Sequence, residues 1–248
     1  MVETLVRGSG EPVTVFAHGF GGGIADARPL GSGVDGTKVF YTARAHDGVA
    51  VDDFGYAALA ADLRAVADSR GAGRAVGVSM GAGALCRVLA DTPDRFARAV
   101  FFLPAVLDSP RGAPASGRLA RLDAAASRGD VGEATAAILE GVPAELRETR
   151  AAQVFAATQA KTLCLPSMHG LPAVLSGQVA LDDAGVLAEA TCPALVLGCR
   201  GDDAHPASVA ERLAAALPNA TLHVYADPGV LWTRRADLRS RVSDFLNS

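Results

Sequence analysis

Lysine, paired cysteines and long apolar runs are what this chain has least of. Lys38 and Lys161 are its only lysines, and a net charge of -4 leaves no basic face of the kind that nucleic acid or an anionic membrane surface requires. Cys86, Cys164, Cys192 and Cys199 are scattered and form no C-x-x-C. That spacing indicates neither a disulfide framework nor a zinc site, so reduced thiols, a cytoplasmic setting and no metal or cofactor are expected. No apolar run approaches the roughly 20 residues of a membrane span. Met1-Val2-Glu3-Thr4 does not open a signal peptide, because a basic region followed by an apolar one is missing.

What is present is apolar and glycine-rich. With 248 residues, half of them hydrophobic, the chain can bury one large core and carry an insertion. The stretch around which it is organised is Gly77-Val78-Ser79-Met80-Gly81. The apolar run Arg74-Ala75-Val76 precedes it as a strand, and Ala82 to Leu89 follow as a helix. Strand, G-x-S-x-G and helix make a nucleophile elbow, in which a tight turn pushes the serine hydroxyl into the open. A glycine-rich turn with a capping serine is the plainer alternative.

The rest of the chain alternates strand and helix. Residues 3–7 and 13–17 read as strands joined by a turn, and the second ends on His18-Gly19-Phe20-Gly21-Gly22-Gly23, a loop able to offer backbone N–H groups to a ligand. Residues 39–42 and 98–103 are further strands, and residues 53–67 a helix with Leu59, Leu63 and Val66 at helical spacing. Such alternation predicts an α/β fold with a mostly parallel sheet covered on both faces. From Pro104 to Thr191 alanine-rich helical segments follow one another without a convincing strand, dividing the chain into a core segment 1–104, a helical lid 105–191 and a second core segment 192–248. Leu163, Leu165, Met168, Leu171 and Val174 could face a ligand from that roof, though packing on the sheet is the commoner role. Strands over residues 193–198 and 220–225 and helices over residues 206–217 and 234–245 complete the pattern.

Taken in order, these motifs resemble the α/β-hydrolase superfamily over essentially the whole length, in its lid-bearing esterase and lactonase branch. The resemblance implies that Ser79 is the nucleophile and that the N–H groups of Phe20 and Met80 form the oxyanion hole. It places the acid in Arg200-Gly201-Asp202-Asp203-Ala204-His205-Pro206. Asp202 fits better than Asp203, and a solvated helix cap is the alternative for both. The implied partner is a small apolar ester, thioester or lactone touching Phe20, Met80, Met168, Val230 and Trp232.

One departure stands out. Family members usually place the catalytic histidine in a Gly-His pair after the last strand, where this chain has Gly229-Val230-Leu231-Trp232. Valine takes no proton, and a serine protease stripped of its histidine loses about a million-fold in turnover, on the order of 8 kcal/mol. The sequence therefore predicts an incomplete triad, with a non-standard base or with Arg200, Arg234, Arg235 or a water beside Asp202. Among the histidines, His205 leads as a replacement base, being three residues from Asp202, against a plain role before a helix. His46 could stabilise its own loop, His169 lie on the surface, His223 pack in a strand, and His18 make a structural hydrogen bond. Three readings follow: a hydrolase acting through Ser79 and His205 or a water; a non-hydrolytic cyclase, lyase or isomerase in the same pocket; or a binding protein without turnover, similar to the plant gibberellin receptors that keep the serine but lack the histidine.

Overall fold

Seven short runs rich in valine, leucine and phenylalanine form the sheet, and their burial follows their place in it. In the computed structural model, which describes residues 3–248, the strands are β1 (Thr4–Arg7), β2 (Val13–Ala17), β3 (Thr37–Tyr41), β4 (Arg74–Val78), β5 (Arg98–Phe102), β6 (Ala194–Cys199) and β7 (Ala220–Tyr225). They lie in the order β1-β3-β2-β4-β5-β6-β7, with β1 antiparallel to β3 and the remaining neighbours parallel. The largely apolar β2 and the apolar β6 are buried throughout, whereas the edge strands β1 and β7 are largely open. This is the pattern expected of a sheet covered on both faces.

The helices are α1 (Ile24–Ala27), α2 (Tyr56–Arg70), α3 (Met80–Asp91), α4 (Ala113–Ser127), α5 (Val131–Leu139), α6 (Arg150–Leu163), α7 (Leu171–Ser176), α8 (Ala207–Ala216), α9 (Val230–Thr233) and α10 (Arg235–Asn247). Two apolar clusters form the core. One joins α2, α3 and α8 to one face of the sheet and carries buried residues of α4 to α7 with it; the other packs α1 and α10 on the opposite face. Between β5 and β6 only helices and turns occur among the described residues. This helical insertion is tied to the loop after β3, where Ser167 Oγ donates to the Ala45 carbonyl at 2.7 Å and Gln178 Nε2 to that of Phe54 at 3.0 Å.

The strand order positions the site. From β2 the chain passes to β3 on one side, and the later strands add on the other side, beginning with β4. The C-terminal ends of β2 and β4 therefore border the crevice where the winding reverses, the usual ligand position in open α/β sheets. Ala17 and Gly77 are register partners there. The loop from His18 and the turn at Ser79 thus leave the sheet side by side.

Candidate active site

The turn at Ser79 is sterically specified by its neighbours. A methyl group on Gly77 would lie 2.5 Å from the Gly81 carbonyl oxygen, and one on Gly81 would lie 2.4 Å from that of Ala17. Both contacts are with backbone, so neither glycine can be replaced without moving the turn. Ser79 itself has φ 52° and ψ -106°, a strained conformation for a residue with a side chain. Its N–H donates to the Phe102 carbonyl at 2.9 Å, and its own carbonyl accepts from Ala82 and Gly83 in the first turn of α3.

The hydroxyl does not stand alone. His205 Nε2 lies 2.9 Å from Ser79 Oγ, and His205 Nδ1 lies 3.0 Å from Asp202 Oδ2. The expectation of an incomplete triad is thereby corrected: an imidazole bridges the serine and the acid, supplied from the acid loop rather than from the loop after the last strand. Local chemistry explains how two residues so close in sequence can do this. Asp202 Oδ1 accepts the N–H groups of Ala204 at 3.0 Å and His205 at 3.2 Å, which folds the loop back over the carboxylate. Pro206 then disfavours a helical conformation at His205 and delays α8 until Ala207. The remaining oxygen, Oδ2, meets the ring. Burial raises the Asp202 carboxyl, but His205 and the two N–H donors outweigh it and bring its pKa down to about 2. Asp203 is exposed, and Asp202's neighbour is His205 rather than Arg200, Arg234 or Arg235.

The loop after β2 is held by two further imidazoles. The Ala43 N–H donates to His18 Nε2 at 2.8 Å, so the His18 proton sits on Nδ1 and is given to the Gly19 carbonyl at 2.7 Å. His46 repeats the arrangement: Gly21 N–H donates to its Nε2 at 3.0 Å, and its Nδ1 donates to the Arg44 carbonyl at 2.9 Å. The rings meet edge to face at 4.9 Å, and the Phe20 ring packs on His46 at 5.6 Å. Burial, and for His18 also the neighbouring His46, keeps both neutral; the His18 pKa falls from 6.5 to about 3 and that of His46 is lowered too. Among the described residues, the N–H groups of Phe20 and Met80 have no hydrogen-bond acceptor within the protein. His169 is exposed, and His223 is half-buried with its ring against Tyr225.

A family model described as "Alpha/beta hydrolase family" matches residues 5–239. The chain belongs to that family. Solved hydrolase structures superpose over its full length. An α/β hydrolase from a Medee basin deep-sea metagenome library gives a TM-score of 0.82 at 13% identity, covering 100% of this chain and 94% of that one. The enol-lactonase from Burkholderia xenovorans LB400 gives 0.81 at 19% identity, covering 100% and 96%. A thermophilic esterase from Thermogutta terrifontis gives 0.72 at 16% identity, covering 99% and 93%. At such identities the likeness speaks for the fold. A search of curated proteins finds no match. Among the described residues no helix is long and apolar enough to cross a membrane, and no cluster of three metal-ligating side chains occurs.

This α/β hydrolase has a cavity of about 250 Å³ over Ser79, with Leu122, Ile138, Leu163 and Phe155 of the helical insertion on one side and Phe20, Val230 and Trp232 among the facing residues. Trp232 stands edge-on to Phe155 at 5.1 Å. Val230 is buried at the start of α9. Two residues expected to touch a ligand do not line the cavity. Met168 is fully buried in the core, where a short turn over Pro166–Met168 tucks its flexible thioether under the insertion. The Met80 side chain is likewise buried in the first turn of α3, which leaves only its backbone for the site. Of the roof residues, Leu163 reaches the cavity, Leu165 and Leu171 pack on the core, and Val174 is exposed. Sequence reasoning missed Arg118, whose place on the half-buried face that α4 shares with Ala115 and Leu122 is the signal that marks it.

Proposed function

We propose that the protein is a serine hydrolase for small esters, thioesters or lactones, working through Ser79, His205 and Asp202. The observation that carries this reading is the single imidazole within hydrogen-bonding distance of both the Ser79 hydroxyl, at 2.9 Å, and the Asp202 carboxylate, at 3.0 Å. An ionised Asp202 keeps the ring proton on Nδ1, which leaves Nε2 unprotonated toward the serine. His205 Nε2 takes the Ser79 proton as Oγ bonds to the substrate carbonyl carbon. The carbonyl oxygen gains the displaced electron pair and is stabilised by the N–H groups of Phe20 and Met80. Collapse breaks the bond to the alcohol or thiol, which leaves with the proton from His205. A water activated by the same imidazole then hydrolyses the acyl-serine.

The helical insertion, which supplies much of the apolar cavity wall, acts as the lid that selects the acyl group. The non-hydrolytic and receptor readings drew their force from a missing base. An imidazole at the serine removes that motive.

The test is active-site labelling joined to turnover. A fluorophosphonate probe should label the protein, fail on Ser79→Ala, and compete with short p-nitrophenyl esters that the protein hydrolyses. Absence of both labelling and ester turnover would refute the reading.

A further inference from the structure

Two arginines of the insertion line the catalytic cavity, and they differ in how they are satisfied. The Arg111 guanidinium makes three hydrogen bonds: it donates to the carbonyls of Leu175 and Gln178 and, at 2.9 Å, to the Tyr56 hydroxyl. Arg118, on α4, makes one long bond, from Nη2 to the Ile138 carbonyl at 3.3 Å, and its buried Nε has no partner. It forms no ion pair among the described residues, although it feels the negative charges of Asp202 and Glu140. Both of those acids are already committed, Asp202 to His205 and Glu140 to Arg121. The remaining carboxyl of the cavity wall, Asp26, accepts the Gly23 N–H at 2.9 Å. Burial costs this guanidinium part of its hold on the proton.

A half-buried cation with one donor nitrogen sealed from water and without a partner is an unfavourable thing to keep unless a ligand completes it. Its location suits that role. Arg118 lines both the apolar cavity over Ser79 and the adjoining polar cleft with Arg121, Arg147 and Asp203, so it stands where the two meet. Gly141 makes the space for it, since a methyl group there would lie 2.8 Å from both Nη1 and Nη2.

We propose that Arg118 is the docking point for a carboxylate carried by the substrate, so that the enzyme selects carbonyl compounds whose acyl chain ends in an acid group. The planar fork of the guanidinium pairs with two carboxylate oxygens, while the apolar wall takes the methylenes between that group and the scissile carbonyl. The inference rests on the hydrolase reading above.

The experiment compares mono-p-nitrophenyl glutarate and adipate with their neutral methyl esters, following nitrophenolate release. At least one acid should exceed its methyl ester by roughly tenfold or more in kcat/KM, mainly through KM. Arg118→Leu should erase that preference, bringing kcat/KM for the acid down to that of its methyl ester. Gly141→Ala, which displaces the guanidinium and keeps its charge, should reduce it. No preference in the parent protein, or a preference that survives Arg118→Leu, overturns the proposal. So does an Arg118→Leu variant that loses Tm and neutral-ester turnover together, which would mark a structural residue. If no ester is turned over and Ser79 is not labelled, the hydrolase reading fails instead. The subsite is then read by sodium glutarate or adipate, which should raise Tm of the parent protein but not of Arg118→Leu; the absence of that shift overturns it.

Discussion

The protein holds its imidazoles in two contrasting ways. At the β2 end of the crevice, His18 and His46 spend both ring nitrogens on backbone groups, are buried, and are neutral because burial disfavours the cation. At the acid loop His205 is partly exposed and spends both nitrogens on side chains, a carboxylate on one and a hydroxyl on the other. The difference teaches what makes a histidine a base. A ring saturated by backbone cannot accept a proton without breaking the fold around it, whereas a ring between a fixed carboxylate and a hydroxyl gains an ion pair when it does. His18 and His46 therefore hold the loop, and in the proposed reaction His205 is the group that takes the proton.

The sharpest way to break this contrast is to remove the ring that bridges. His205→Ala is expected to lower kcat by about five to six orders of magnitude on any ester the parent hydrolyses, matching Ser79→Ala, because residues of a triad act as a unit. Near-parent turnover in His205→Ala would transfer the role of base elsewhere. Next in size is Asp202→Asn. An amide cannot hold the imidazole in the required tautomer, and kcat should fall by roughly four orders of magnitude with little change in KM. The Asp202 carboxyl, brought down to about 2 by its donors, should stay ionised across the working pH range, so its own protonation should not limit kcat there.

Breaking the other pair should move stability and touch chemistry far less than the changes at His205 and Asp202. The His18 pKa lies at about 3 in the fold against an ordinary 6.5, so between those values the unfolded chain binds the extra proton. The stability that depends on the neutral ring is fully present above pH 6.5 and is lost as pH falls toward 3, with a slope of about 1.4 kcal/mol per pH unit for one imidazole. His46, also lowered, acts in the same direction. His46→Gln should flatten part of this slope in denaturant titrations from pH 7 to 4. With the Gly21 N–H anchor disturbed, kcat should fall about tenfold, within what misplacing one oxyanion donor costs. An unchanged slope would mean that the buried rings are hydrated and titrate freely.

How far the sequence could be read follows the range of the interactions involved. The mostly parallel sheet, the elbow and the strands' places along the chain were legible because each rests on local patterns: apolar runs, helical spacing, and glycines flanking Ser79. The serine's partner was harder. Asp202 and His205 are close in sequence, but only the Asx-type fold of the loop and its position opposite β4 bring the ring within 2.9 Å of Ser79, a contact that spans 126 positions. Spacing alone could rank His205 first and still leave it as a residue before a helix. The insertion was least legible. Alanine-rich helices look alike from several sides, so nothing in the pattern told that Met168 would be buried and Phe155 would face the cavity.

The finest test concerns the place where a histidine was looked for and valine stands. Val230 is 1% exposed, packed at the start of α9 and part of the cavity wall. Were the serine short of a base, Val230→His would raise ester turnover by orders of magnitude. With His205 already in hydrogen-bonding contact with both Ser79 and Asp202, a second imidazole finds the bridging position between serine and carboxylate taken: Oδ2 holds the ring and Oδ1 holds two N–H groups. It would instead be a buried polar group without a partner, costing about 1–3 kcal/mol. The expected outcome is a lower Tm and no gain in kcat/KM on short p-nitrophenyl esters. A gain of tenfold or more would mean that His205 does not serve Ser79, and the contrast between the two kinds of imidazole would then have to be redrawn around Val230.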